Sequence, residues 1–212
     1  MSPAMDGYSL SDLVAQIRTC RICRDTPLGP PLPHEPRPVL QISSSARVLI
    51  AGQAPGTRVH RSGRPFTDAS GDRLRHWLGM DEATFYDDTR VAIVPMGFCF
   101  PGLDEKGADR PPRPECARHW HDRLFALAPQ ADLIIAVGLY AHRYHFRRLG
   151  LEKPASLTES VTNWRAAAFR NDGPAVFALP HPSWRNNGWL RQHPWFEAEV
   201  LPALQSAVAA RL

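Results

Sequence analysis

Lysine is almost absent from this chain. Of its 25 basic residues only Lys106 and Lys153 are lysines, which leaves 23 arginines. Chemistry that runs through a lysine amine therefore has two candidates, both far in sequence from the strand-end loops that carry the motifs. Arginine's planar fork suits phosphates and base edges, although a GC-rich coding sequence raises the arginine count in the same way. Long apolar runs are missing as well. None approaches the roughly 18 residues that cross a bilayer, and "MSPAMDGYSL" has neither the charged nor the apolar region of a secretory signal. The expectation is a cytoplasmic protein with no membrane partner. A G-x-G-x-x-G loop is also missing, which argues against a dinucleotide site, and no internal repeat divides the chain.

What is present fits one domain over residues 1–212, with 43% apolar residues, a formal charge of +4 and a pI near 9.1. Proline is plentiful at 21 residues. It concentrates in "TPLGPPLPHEPRP" and "RPPRPE", which read as extended segments wrapping structured elements. "SLSDLVAQIRTC" predicts a helix capped by Ser9 or Ser11. "RVLIAG", "RVAIVPM", "DLIIAVG" and "AVFALP" predict four short buried strands. Between them "SGDRLRHWLGM" predicts a helix capped by Ser70 and stopped near Gly79. "PECARHWHDRLFALAPQ" predicts one from Pro114 to Pro129. "LYAHRYHFRRLG", "LTESVTNWRAAAF" and "PWFEAEVLPALQSAVAARL" complete the set, the last with Pro202 inside it.

Strands alternating with helices give an α/β fold, a three-layer α/β/α single domain with a central four-stranded parallel sheet. Ligands of such sheets bind beyond the carboxyl ends of the strands. "GQAPG", "PMGFC" and "LPHPSW" follow the first, second and fourth strands, so three loops converge on one mouth. Cys20 and Cys23 form a CxxC, and Cys99 and Cys116 are the other two cysteines. Four thiols in this arrangement suit zinc or an iron–sulfur cluster; four unrelated buried cysteines is the plainer reading.

"GQAPG", "SGRPFTDASG" and "HPSWRN" together resemble the uracil-DNA glycosylase superfamily, closest to its iron–sulfur branches, families 4 and 5. In those branches the cluster cysteines run CxxC, then one after the second strand, then one beyond a Pro-rich loop. Cys20, Cys23, Cys99 and Cys116 follow that layout, so the resemblance implies a [4Fe-4S] cluster in preference to zinc. It further implies a DNA glycosylase of base excision repair, expected to be a monomer, and the scarcity of lysine makes a monofunctional enzyme the expectation. Such an enzyme flips uracil, or another deaminated base, out of DNA and hydrolyses its N-glycosidic bond to leave an abasic site.

By the same resemblance His181 donates to a uracil carbonyl as it becomes anionic, for which a neutral imidazole suffices. Phe66 stacks on the flipped base, and Gly52, Gln53, Ala54, Pro55 and Gly56 bring backbone amides close to it. The plainer readings are a loop histidine and a core phenylalanine. Ala54 stands where the best-known branch has a water-activating Asp. Asp68, in "PFTDASG", is expected to polarise water or stabilise the sugar cation, and a helix cap is its plainer role. Pro95 stands where relatives carry the Asn that reads uracil, and backbone groups of Met96 and Gly97 are the expected substitutes. Trp184, Arg185 and Asn187 are expected to fill the gap left in the duplex, with Ser183, Arg58, Arg61 and Arg64 on phosphates. Two other classes stay open: a non-catalytic damaged-DNA binder with an iron–sulfur cluster, and an iron–sulfur redox protein.

Overall fold

The computed structural model describes residues 9–128 and 131–212 of the chain. Ser9 and Asp12 form a reciprocal capping box, so α1 (Leu10–Arg18) starts from Ser9 and not Ser11. A single turn, α2 (Ile22–Asp25), follows the first cysteine. The chain continues through β1 (Val48–Ala51), α3 (Thr57–Ser62), α4 (Ala69–Leu78), α5 (Glu82–Phe85) and β2 (Val91–Ile93). Next, α6 (Pro114–Cys116) runs through a π turn at Ala117–His121 into α7 (Asp122–Leu127). Then come β3 (Leu133–Val137), α8 (Leu139–Arg148), α9 (Leu157–Thr162), α10 (Trp164–Ala168) and β4 (Ala175–Leu179). A 3₁₀ turn at Trp184–Asn186, α11 (Asn187–Gln192), a π turn at Phe196–Val200 and α12 (Leu201–Ala209) end the chain.

The four strands are parallel, in the order β2-β1-β3-β4, with Val48 opposite Val91 and Leu133, and Leu133 opposite Ala175. Alternate residues supply two cores. Val48, Ile50, Ile93, Ile135 and Phe177 meet the α4, α10 and α12 side, including Leu74, Trp77, Trp164 and Leu204. Leu49, Ala92, Ile134, Val176 and Ala178 meet α1, α7 and α8 through Leu13, Ile17, Leu124 and Phe146. This is the expected three-layer α/β/α fold. A fully buried Leu, Ile or Phe contributes about 1.5–3 kcal/mol relative to exposure, so both faces of the sheet need cover.

Several expected boundaries move. The helix after the first loop is capped by Asp68, whose side chain accepts the Gly71 N–H, and not by Ser70. Gly79 ends it in the left-handed conformation, as expected. The segment at 157–168 is two short helices broken at Asn163. The helix entered at Pro114 ends at Leu127, while Pro129, the expected stop, lies outside the described residues. The π turn at Phe196–Val200 immediately precedes Pro202, which cannot donate the next helical hydrogen bond. The Pro-rich segment wraps as expected. Leu32 N–H donates to the Cys23 carbonyl, Val39 N–H to Phe98, and Gln41 forms an antiparallel bridge to Ile93. No helix among the described residues is long and apolar enough to cross a membrane.

Candidate functional site

The strand order changes direction of travel between β1 and β3, and in open parallel sheets the ligand crevice lies outside such a point. Here it holds Gln53. Its side chain crosses Gly138 at the end of β3 so closely that a Cβ there would sit 2.6 Å from Nε2. The loop after β1 is fastened to the loop after β2, because Met96 N–H donates to the Gly52 carbonyl at 2.9 Å and Gly97 N–H to Gln53 at 2.8 Å. Beyond it, Gly52, Gln53, Ala54, Pro55 and Gly56 line a cavity together with Phe66, Asp68, Pro95, Asp109 and His181.

Phe66 enters this cavity from an unusual backbone. It has φ of 53°, the one non-glycine positive value among the described residues. Such a conformation costs about 1–3 kcal/mol and persists only where its surroundings over-determine it. Here Tyr86 Oη donates to the Pro65 and Phe66 carbonyls at 2.8 and 3.1 Å. Gly71 packs under the turn, where an added Cβ would lie 1.8 Å from the Phe66 oxygen. The Phe66 ring lies against Gly52 and meets the Phe85 ring edge-on at 6.1 Å.

His181 arrives two residues after β4. Ser183 N–H donates to its Nδ1 at 3.2 Å. An acceptor at Nδ1 puts the proton of the neutral ring on Nε2, the remaining donor. Asn186 Nδ2 donates to the His181 carbonyl at 2.7 Å and holds the loop in place. Burial holds the imidazole below its usual pKa, reinforced by Arg185 and opposed by Asp68 and Asp109, so the ring is neutral near pH 7. Asp68 lines the same cavity while capping α4, with Oδ1 engaged at 3.2 Å by Gly71 N–H.

A groove continues outward from this cavity past Arg58, Arg73, Ser183, Trp184 and Arg185. Trp184 is 72% exposed, so none of the described residues covers it. Arg73 ties α4 to this loop, donating to Asn187 Oδ1 at 2.8 Å. The sequence reading missed Arg73, whose partner is more than a hundred residues away. It missed Asp109 as well, which a hairpin bridged between Leu103 and Asp109 carries to the cavity. The Asp109 carboxyl is raised above its ordinary pKa by burial and by Asp68, against the pull of Arg185 and His181.

Other expected residues fall elsewhere. Met96 is buried against Ala51, Ala136 and Ala141, Gly97 packs against Pro112 and Arg113, and neither lines the cavity. With their N–H groups bonded to the first loop, those amides are not free to read a base. Pro95 does line the cavity. Arg61 offers its carbonyl to Arg37 and lies outside the groove, and so does Arg64, which pairs with Glu82 at 3.0 Å over the Tyr86 ring. Asn187 also lies off the groove lining, held by Arg73.

The four thiols come from the α1–α2 segment, the loop after β2 and α6. Cys23 and Cys99 share a small core with Leu32. Cys116 Sγ accepts the Phe98 N–H, and Cys20 Sγ the Trp120 Nε1–H, both at 3.3 Å. Burial pushes the Cys99 thiol up to about 12, and Cys116 is raised by its hydrogen bond to Cys23 and by burial. Among the described residues no group of three or more His, Cys, Asp or Glu side chains closes to the spacing that holds a single metal ion. Two of the four sulfurs take N–H donors, a bond that gains strength when the sulfur is a thiolate. Buried Glu115, paired with Arg113, accepts the Leu28 N–H, and Arg113 donates to the Pro30 carbonyl at 2.9 Å. That pair pins the Pro-rich segment beside the cysteines.

A family model described as "UDG: Uracil DNA glycosylase superfamily" matches residues 40–205.

Proposed function

The chain belongs to the uracil-DNA glycosylase superfamily, and on that premise we propose that it removes uracil from DNA by hydrolysis and leaves an abasic site. One observation carries the reading: the Nε2–H of a neutral His181 is the donor left to a cavity also lined by Phe66 and the Gln53 loop. A flipped uracil enters between Phe66 and the backbone of the Gly52–Gly56 loop. As the glycosidic bond lengthens, charge gathers on a uracil carbonyl, where a fixed N–H dipole in a dry site is most effective. The Asp68 carboxylate, its Oδ1 anchored by Gly71, stabilises the cation left on the sugar. Arg58, Arg185 and Ser183 hold backbone phosphates in the groove, and Trp184 fills the space of the extruded nucleotide.

The test is a strand-cleavage assay on oligonucleotides carrying uracil, hypoxanthine or xanthine, treated with alkali after incubation. Cleavage at uracil, slowed by about 10²-fold or more in His181→Ala, supports the proposal. Tight binding without cleavage supports the damaged-DNA binder, a reading that Ala54 and the engaged Met96 and Gly97 amides favour. The chemistry is proposed to be monofunctional. Lys153 lies in a separate cleft, and Lys106 sits on the Asp109 hairpin without lining the cavity. Borohydride trapping should yield no covalent protein–DNA adduct.

The four thiols of Cys20, Cys23, Cys99 and Cys116 suit zinc or a [4Fe-4S] cluster by donor type, and we propose the cluster because their layout resembles that of the iron–sulfur branches. Bound there, the cluster acts as a structural staple between α1–α2 and the loop after β2. Its presence is tested by iron and sulfide content and by visible absorbance of protein purified without oxygen.

A further inference from the structure

We infer that Asp109 is a second catalytic carboxylate of this cavity, the group that takes the proton of the attacking water. The inference rests on the glycosylase reading and adds to it the base that Ala54 fails to supply.

The hairpin that delivers Asp109 is built to hold one geometry. Asp104 N–H donates to the Ala108 carbonyl at 2.8 Å, and Arg110 N–H to Gly102 at 2.9 Å. Across the turn, Asp104 Oδ1 accepts the N–H groups of Lys106 and Ala108 at 2.9 and 2.8 Å. A tip braced in this way positions its last side chain, as a catalytic group requires. That side chain faces the first loop: a Cβ built on Gly56 would lie 3.5 Å from Asp109 Oδ2. Asp109 lines both the cavity and the groove outside it, at the junction where the sugar of a flipped nucleotide passes between base pocket and phosphates.

Its charged surroundings come from every element at that junction. Asp68 contributes from the start of α4, His181 and Arg185 from the loop after β4, and Arg58 and Arg73 from the groove wall. The two carboxylates diverge in setting. Asp68 has one oxygen committed to a helix N–H, which fixes its carboxyl in place as a counter-charge. Asp109 is raised above its ordinary pKa by burial and by Asp68, towards the range in which a carboxylate takes up a proton.

The step balances. The C1′–N1 bond breaks with its electron pair leaving on uracil, whose carbonyl is held by His181 Nε2–H. The water oxygen bonds to C1′, and its proton passes to Asp109. Asp109 then returns that proton to the uracil anion or to solvent.

The experiment is single-turnover excision of uracil from a single-stranded oligonucleotide between pH 4.5 and 9, with DNA affinity measured in parallel by anisotropy. Wild type, Asp109→Asn, Asp109→Glu and Asp68→Asn are compared. The expected result for Asp109→Asn is a rate loss of about 10²-fold or more, with the rising acid limb of the profile gone and DNA affinity unchanged. Asp109→Glu recovers part of the rate and restores the limb, whereas Asp68→Asn is slower with the limb intact. A normal rate and limb in Asp109→Asn, or a loss matched by weaker DNA binding, overturns the assignment while leaving the glycosylase reading standing. A wild type that excises no base overturns both.

Discussion

Ser183 N–H lies 3.2 Å from His181 Nδ1, and this one backbone contact selects the tautomer whose remaining proton is on Nε2. Because the donor is main chain, the Ser183 hydroxyl has no share in it. Ser183→Ala should therefore keep the single-turnover excision rate, with only DNA affinity lowered by loss of a phosphate contact. His181→Ala should lose about 10²–10³-fold in rate, the usual cost of removing one such donor, with affinity for uracil-containing DNA retained. Rapid-quench measurement at saturating enzyme separates the two effects.

Much of this arrangement was legible in the chain before its coordinates. Four short apolar runs mark the strands, and their alternation with amphipathic helices implies the sheet, because a parallel strand needs apolar residues on both faces. The loops carrying Gln53 and His181 are legible because strand ends in such sheets face ligands, and Phe66 is legible only through the family resemblance of its motif. What stayed hidden depends on partners distant in sequence. Nothing in the local sequence of Met96 and Gly97 says that their N–H groups are taken by the Gly52 and Gln53 carbonyls. Asp109 read as one more acid in a polar loop, since nothing local says that its hairpin folds back over Gly56. Asp68 and Ser70 are both good caps by residue type, and only the Gly71 N–H decides between them.

Gly71 is the position where a single methyl should do most harm. An added Cβ would lie 1.8 Å from the Phe66 carbonyl oxygen, which is backbone and cannot swing aside. That carbonyl also accepts Tyr86 Oη, part of what holds Phe66 at its positive φ. Gly71→Ala should cost about 1–3 kcal/mol or more, as overpacking does, and relax the Phe66 turn. The expected outcome is a lower urea midpoint together with a loss of excision larger than that of Tyr86→Phe. Equal stability of Gly71→Ala and wild type would refute the close approach.

His142 makes folding stability depend on pH. Its Nε2 donates to the Ala136 and Leu179 carbonyls at 3.0 and 2.9 Å, clamping the ends of β3 and β4 next to the His181 loop, while Nδ1 meets Ser160 Oγ at 2.7 Å. Burial pushes its pKa down to about 4, against 6.5 for the free residue. The unfolded chain thus binds the extra proton first as pH falls. Stability is complete above about pH 6.5 and is lost progressively towards pH 4, by about 3 kcal/mol from this residue alone. His145, also fully buried and shifted well down, steepens the same decline. Urea midpoints at pH 7.5 and 5.0 should show the drop in wild type and a shallower one in His142→Gln. A pH-independent midpoint would mean that these rings carry their protons in the folded state.

The groove separates sequence-independent attraction from base extrusion. Arg58 and Arg185 line it, beside Trp184, whose ring is 72% exposed with the Arg185 guanidinium 5.6 Å from its centre. Each arginine that neutralises a phosphate releases counterions, so Arg58→Ala should lower the slope of log affinity against log salt by about 1. Trp184→Ala should leave that slope unchanged, because the ring carries no charge. Its loss is expected in the extruded state, where filling the vacated stack is worth about 1–3 kcal/mol per base by comparison with other aromatic platforms. Fluorescence of 2-aminopurine opposite or beside the uracil reports extrusion directly. The expected pattern is a dimmer signal and slower excision on duplex DNA for Trp184→Ala, with excision from single strands nearly unaffected. An equal loss on both substrates would make Trp184 a general contact, with no part in holding the duplex open.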